Sequence, residues 1–298
     1  MRSYSQQSGF TLVELIITLV ISMILSGIVS QFITRPVQAY ADQEMRARLV
    51  STAELTLKQF QHDIRGAVPN SPRVACGGLC IEFLSLKTSG RYRAQAPGDP
   101  LDFNPSANDT TFEVLSMLPS DQAVTTSADP DACQNGTADC LVVYNTGLAG
   151  SNAFNLDNAA TINAVTSASP QVIIFDNTRF ANSLNAFPVP SPHQHFAISD
   201  GPVTYLCDTA AGTLRKYWDY PIISNQTGVD TAAELTAYSN TQEALISKHV
   251  SNCQFTYAPG SATHSSLVIV RLQISDQNAS GSTERIQLLK QIHVSNTP

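Results

Sequence analysis

The run FTLVELIITLVISMILSGIVSQFI, Phe10–Ile33, decides how this chain is built. It holds 24 residues and a single charge, Glu14. At 1.5 Å per residue such a helix is about 36 Å long, enough to cross a bilayer core. A carboxylate in a membrane helix costs about 2.5–3.5 kcal/mol at the helix centre on insertion scales and less near the interface, so Glu14 calls for a cationic partner or a proton. Every fourth residue from it is small and polar: Thr18, Ser22, Ser26 and Ser30. That stripe drifts about 40° per step around a 3.6-residue helix, and small residues on one face let helix backbones approach closely.

Three explanations of the segment compete. A cleaved secretory signal would use Ala39-Tyr40-Ala41. Against it, the apolar run exceeds the roughly 7–15 residues of such signals, Glu14 interrupts it, and Arg35-Pro36 intervenes. A plain single-pass anchor accounts for the length but gives Glu14 no purpose. The third rests on Gly9-Phe10-Thr11-Leu12-Val13-Glu14, which resembles the processing site of type IV pilins and type II secretion pseudopilins. The resemblance implies that a prepilin peptidase cuts after Gly9 on the cytoplasmic side and methylates the new amino terminus, Phe10. Glu14 then becomes the fifth mature residue. The Phe10 ammonium of an incoming subunit would meet Glu14 of a neighbour, offsetting two desolvation costs at once. The leader Met1–Gly9 carries Arg2 and no acid, as such leaders usually do.

Working outward, Leu49, Ala53, Leu57, Phe60 and Ile64 recur at helical spacing with polar residues between them, the pattern of an amphipathic helix facing a core. One helical element over Phe10–Arg65 is expected, kinked or locally melted at Pro36 and stopped at Gly66, with Pro69 and Pro72 beyond. From Cys80 the period changes. Ile81–Leu86, Phe112–Leu115, Leu141–Tyr144, Val172–Phe175, Val203–Cys207, Leu214–Trp218, Cys253–Tyr257, Leu267–Ile274 and Arg285–Val294 read as strands, the last two as a terminal antiparallel hairpin. Residues 119–170 read as surface loops around one strand, and Ala232–Leu245 as a short helix.

A long amino-terminal helix followed by an antiparallel sheet is also the fold that the pilin resemblance implies. The expected class is α+β: leader 1–9, membrane and assembly helix 10–33, amphipathic continuation 34–66, and a β-rich periplasmic domain 67–298. The stretches DIRGAVPNSPRV, CIEFLSLKTSGRYRA and PVTYLCD, with the closing strand pair, further resemble minor pilins of the mannose-sensitive haemagglutinin (MSHA) pilus type. They are also akin to W-type minor pilins and J-type pseudopilins.

The net charge is −7 and only 14% of residues are charged. Residues 94–178 hold ten acids and no Lys or Arg, which disfavours phosphate-directed binding of nucleic acid. The stretch is a candidate contact face. Six cysteines allow 15 pairings. Proximity in sequence favours Cys76–Cys80 and Cys133–Cys140, and Cys207 and Cys253 lie in strand-like runs that a bond could clamp, which gives the third pair. A zinc site at Cys76 and Cys80 competes. Exposed loop histidines or a metal pair at His193 and His195, and a solvated loop or a calcium site at Asp129, Asp131 and Asp139, are further open pairs of readings. Tyr217-Trp218-Asp219-Tyr220 is either strand core or an aromatic contact patch.

No nucleophile elbow, zinc-protease or phosphate-loop motif occurs, so a membrane-anchored hydrolase is the weakest class. The sequence reads as a structural subunit without a cofactor: a minor pilin that primes or caps a pilus. The resemblance implies as partners the prepilin peptidase, other minor pilins, the major pilin and the inner-membrane assembly platform. A J-type pseudopilin and a tip-displayed adhesive module are the alternatives.

Overall fold

In the computed structural model, helix α1 spans Leu12–Arg65 as one element of 54 residues, about 81 Å long. The described residues are 9–104, 108–119, 123–178, 189–260, 265–278 and 281–294. Helix α1 begins two residues later than the apolar run because Thr11 takes the N-cap, with extended backbone at φ −81° and ψ 150°. It continues through Pro36, so the expected local melting does not occur. A proline there removes one backbone donor and leaves the turns on either side intact. Gly66 ends the helix at φ −88°, outside the left-handed region, with its N–H donating to the Asp63 carbonyl at 3.0 Å.

Twelve strands follow: β1 (Arg73–Ala75), β2 (Cys80–Arg91), β3 (Thr111–Val114), β4 (Cys140–Val143), β5 (Ala159–Val165), β6 (Gln171–Phe175), β7 (His195–Asp208), β8 (Thr213–Trp218), β9 (Gln242–Lys248), β10 (Val250–Ala258), β11 (Ser266–Gln277) and β12 (Thr283–Val294). The first nine form one sheet in the order β1-β2-β7-β4-β5-β6-β3, with β8 branching from β7 and carrying β9; β10-β11-β12 form a second. The named pairings are antiparallel, so the class is α+β in a pilin-like layout. Strand β7 is the hub. Along one edge it pairs with β2, and along the other with β4 through its first half and β8 through its second.

The second half of α1 lies against both sheets. Leu49, Ala53, Leu57, Phe60 and Ile64 are buried with Ile81, Phe83 and Tyr205 of the large sheet and with Val268, Val270, Leu272 and Ile274 of the small one. Those four β11 residues alternate inward, as period two requires. Phe60 meets the Tyr205 ring edge-on at 5.0 Å between centroids and Phe255 at 5.3 Å. Phe60→Ala is therefore expected to cost about 3–5 kcal/mol, measured as the denaturation free energy of the solubilised full chain.

Two polar nodes fix the arrangement. Asp63 of α1 accepts from Tyr205 Oη at 2.6 Å and from Lys216 Nζ at 2.5 Å on Oδ2, and from Gln59 at 3.0 Å on Oδ1. Burial first, and then the Asp63 carboxylate, push the Tyr205 hydroxyl above the usual phenol range and keep it a donor. Deeper still, Glu82 receives Arg73 Nη2 at 2.7 Å and Tyr220 Oη at 3.0 Å, and Tyr220 Oη is 2.7 Å from Thr204 Oγ1. Burial raises the Glu82 carboxyl above the ordinary range even though Arg73 draws it down.

The sulfurs are placed as Cys76–Cys80, Cys133–Cys140 and Cys207–Cys253, with Cα separations of 5.6, 5.0 and 6.4 Å. The last bond joins β7 to β10 and so ties the two sheets together. Gly77 and Gly78, at φ 64° and 94°, supply the left-handed turn inside the shortest loop.

Two further expectations fail. Residues 119–170 contain a second strand, β5, whose Ala159, Ala160 and Ile162 are fully buried. Its small side chains resemble loop composition, but alanine is what fits beneath the packed loop that carries Phe154. The expected helix Ala232–Leu245 stops at Leu235, and β9 starts at Gln242. Thr231 and Glu234 form a capping box, so the helical start is real, while pairing with β8 takes the later residues into the sheet.

Candidate functional site

The amino-terminal motif sits on the free end of α1. An added Cβ at Gly9 would meet nothing within 4 Å, and Phe10 is 72% exposed. Thr11 Oγ1 accepts the Glu14 N–H at 3.3 Å, closing the first turn. Glu14 lies in that turn, where the unpaired amides and the helix dipole favour a negative side chain. The geometry offers a Gly9–Phe10 junction outside the helix, followed at once by a helix in whose first turn Glu14, fifth counting from Phe10, is an acid.

Thr18, Ser22, Ser26 and Ser30 are all exposed on α1 at four-residue spacing. The Thr18 hydroxyl donates to the Leu15 carbonyl at 2.9 Å, and Thr34 does the same to Ser30, so both hydroxyls are satisfied within their own helix. Around them Leu15, Ile16, Leu19, Val20, Met23, Ile24, Ile28 and Phe32 are exposed, and none of the most apolar 18-residue window is buried. A helix apolar on all sides needs a covering of lipid or other helices. It is the single helix among the described residues long and apolar enough to span a membrane. Met1–Ser8 lie outside the described residues.

The other candidates resolve separately. His193 and His195 place their rings 6.1 Å apart, one in a turn and one opening β7. Asp139 does not join Asp129 and Asp131: its Oδ2 accepts Lys87 Nζ at 2.8 Å and the Thr125 N–H at 2.7 Å. No cluster of three or more His, Cys, Asp or Glu suited to a metal occurs among the described residues. Tyr217 and Tyr220 are core, and Trp218 packs half-buried on the helix-facing cluster. In residues 94–178, Asp102, Asp109, Asp129, Asp157 and Asp176 accept backbone amides nearby in sequence, while Glu113 pairs with Arg93. These acids shape loops. Asp121 lies outside the described residues.

Neither a curated protein nor a solved structure was found to match the chain. Residues 4–30 match the family described as the prokaryotic N-terminal methylation motif. The match covers the Gly9–Phe10 junction, Glu14 and the stripe as far as Ser30, so the chain carries at its amino terminus the processing and assembly motif of type IV pilin-like proteins.

Proposed function

We propose that the chain is a minor pilin of the MSHA type, cut after Gly9 by prepilin peptidase, methylated on Phe10, and used to prime or cap a pilus. The observation that carries this reading is the Gly9-Phe10…Glu14 motif at the head of an apolar helix with nothing packed around it. Residues 10–33 would then be the membrane and assembly helix, with residues 67–298 in the periplasm and residues 34–66 joining the two. A domain this large exceeds what the repeating subunit of a thin fibre needs, which favours a low-copy position. The role is structural rather than enzymatic, and its partners are other minor pilins, the major pilin and the inner-membrane platform.

The mature amino terminus tests the reading. Intact-mass and peptide analysis is expected to find N-methyl-Phe10; Asp42 would mean a secreted protein, and Met1 an ordinary anchor. Glu14→Ala is expected to lower incorporation into the fibre more than about tenfold, because truncating one partner of a buried charge pair costs about 2–5 kcal/mol. The domain should keep its melting temperature, and unchanged incorporation would refute the pairing with the Phe10 ammonium. Whether deletion of the protein abolishes a surface pilus or type II secretion separates the MSHA-type reading from the J-type one.

A further inference from the structure

We infer that the domain binds a small amphipathic carboxylate in a cavity between the end of α1 and the face of the large sheet. This site is independent of the assembly role, lying about 47 Å along α1 from Thr34. Three elements reach their ends around it: Arg65 is the last residue of α1, Arg91 the last of β2 and His195 the first of β7, and all three line one cavity of about 290 Å³. Arg91 and His195 are direct cross-strand partners. Beneath them Val142 and Ala197, also cross-strand partners, form an apolar floor with Val68.

The charge on this cavity is one-sided. No acidic residue among the described ones lines it. Among the described residues neither Arg65 nor Arg91 pairs with a carboxylate, whereas Arg46, Arg48, Arg73, Arg93 and Arg215 do. Arg91 is oriented by donating Nε to the His193 carbonyl at 3.2 Å and Nη2 to Gln194 Oε1 at 3.5 Å, which leaves Nη1 of its planar fork for a ligand. Burial first, then the Arg91 and His193 charges, hold the His195 imidazole below its usual range, so the cavity already resists further positive charge. In a chain of net charge −7, two guanidinium groups without acids beside an apolar floor match a ligand with an anionic head and an apolar body. The volume is at the lower end of ligand pockets, about 300 Å³, so that body is small.

Calorimetric titration of the full chain in amphipol tests the site, with phenylacetate as probe, phenylacetamide as its neutral isostere and inorganic phosphate as a head without a body. Phenylacetate is expected to bind at least about tenfold more tightly than either comparison ligand, because charge-assisted bonds are roughly twice as strong as neutral ones. Arg65→Gln and Arg91→Gln should each weaken phenylacetate about tenfold and leave phenylacetamide unchanged. No binding of phenylacetate, equal affinity for the amide, or phosphate binding as tightly would each overturn the proposal; the comparison on the unaltered chain holds even if a variant fails to fold.

Discussion

Gly9→Val is expected to leave the chain at precursor mass, nine residues longer at its amino terminus than the processed protein and without a methyl group on Phe10. The argument separates chemistry from folding. A side chain at Gly9 meets nothing within 4 Å, and the residue precedes the Thr11 cap, so neither α1 nor the domain is disturbed. What changes is the peptide that the peptidase must hold: an unsubstituted α-carbon becomes a β-branched one, with restricted backbone and no room to approach closely. Processing should fall to background while the melting temperature stays at its original value. Mature N-methyl-Phe10 from this variant would show that cleavage does not depend on the residue before the junction.

A loss of stability as large as that of Phe60→Ala is expected for Arg73→Met. Arg73 is the cation facing Glu82, whose side chain is 1% exposed, and its Nη1 and Nη2 also donate to the Ser224 and Ile223 carbonyls at 2.7 and 2.6 Å. The guanidinium further lies 3.6 Å from the centre of the Phe154 ring. Methionine keeps much of the stem and removes the charge, leaving a buried carboxylate with the Tyr220 hydroxyl but no counter-ion. Breaking a buried pair from one side costs about 3–5 kcal/mol. Denaturant titration of the solubilised chain should show that loss at neutral pH. The Glu82 carboxyl is already raised by burial, so its protonated form is the easier one to bury. Stability of the variant should therefore be retained at pH values below the ordinary carboxyl range and decline as the pH rises through the raised value. Arg73→Met combined with Glu82→Gln should recover part of the neutral-pH loss; no recovery would mean that the two carbonyl contacts, not the charge pair, carry the effect.

What could be read from the sequence were features carried by neighbouring residues. A 24-residue apolar run with one acid announces a helix, and the spacing Leu49, Ala53, Leu57, Phe60, Ile64 shows which face enters the core. The alternation Val268, Val270, Leu272, Ile274 marks β11 as surely. Strand β5 was hidden because Ala159 and Ala160 carry too little side chain to register as a strand, although both are fully buried. Strand β9 was hidden because its edge position leaves Gln242, Glu243 and Lys248 exposed and its sequence follows a genuine helical start. Contacts between distant residues leave no local pattern at all. Asp63 meets Lys216 across 153 positions and Tyr205 across 142, and Arg91 meets His195 only because β2 and β7 run side by side. The amino-terminal methylation motif was legible because Gly9, Phe10 and Glu14 lie within six consecutive residues.

Helix α1 also decides how the molecule bears mechanical load. Its exposed apolar half and its buried half are one rod, so tension applied to the domain along the rod arrives undiminished at the five-residue stripe Leu49–Ile64. That stripe is loaded in shear: its side chains must slide together, whereas a hairpin such as β11–β12 pulled from one end opens pair by pair. Asp63, gripped by Tyr205 and Lys216 near the helix terminus, resists the same sliding, and the Cys207–Cys253 bond stops the two sheets from separating once the helix moves. The weakest direction is sideways, at the exposed stretch around Pro36, where no described residue outside the helix buries the rod and it has one backbone bond fewer. The helix is thus stiff along its length and most easily bent around Pro36, between its exposed apolar half and the half buried against the sheets.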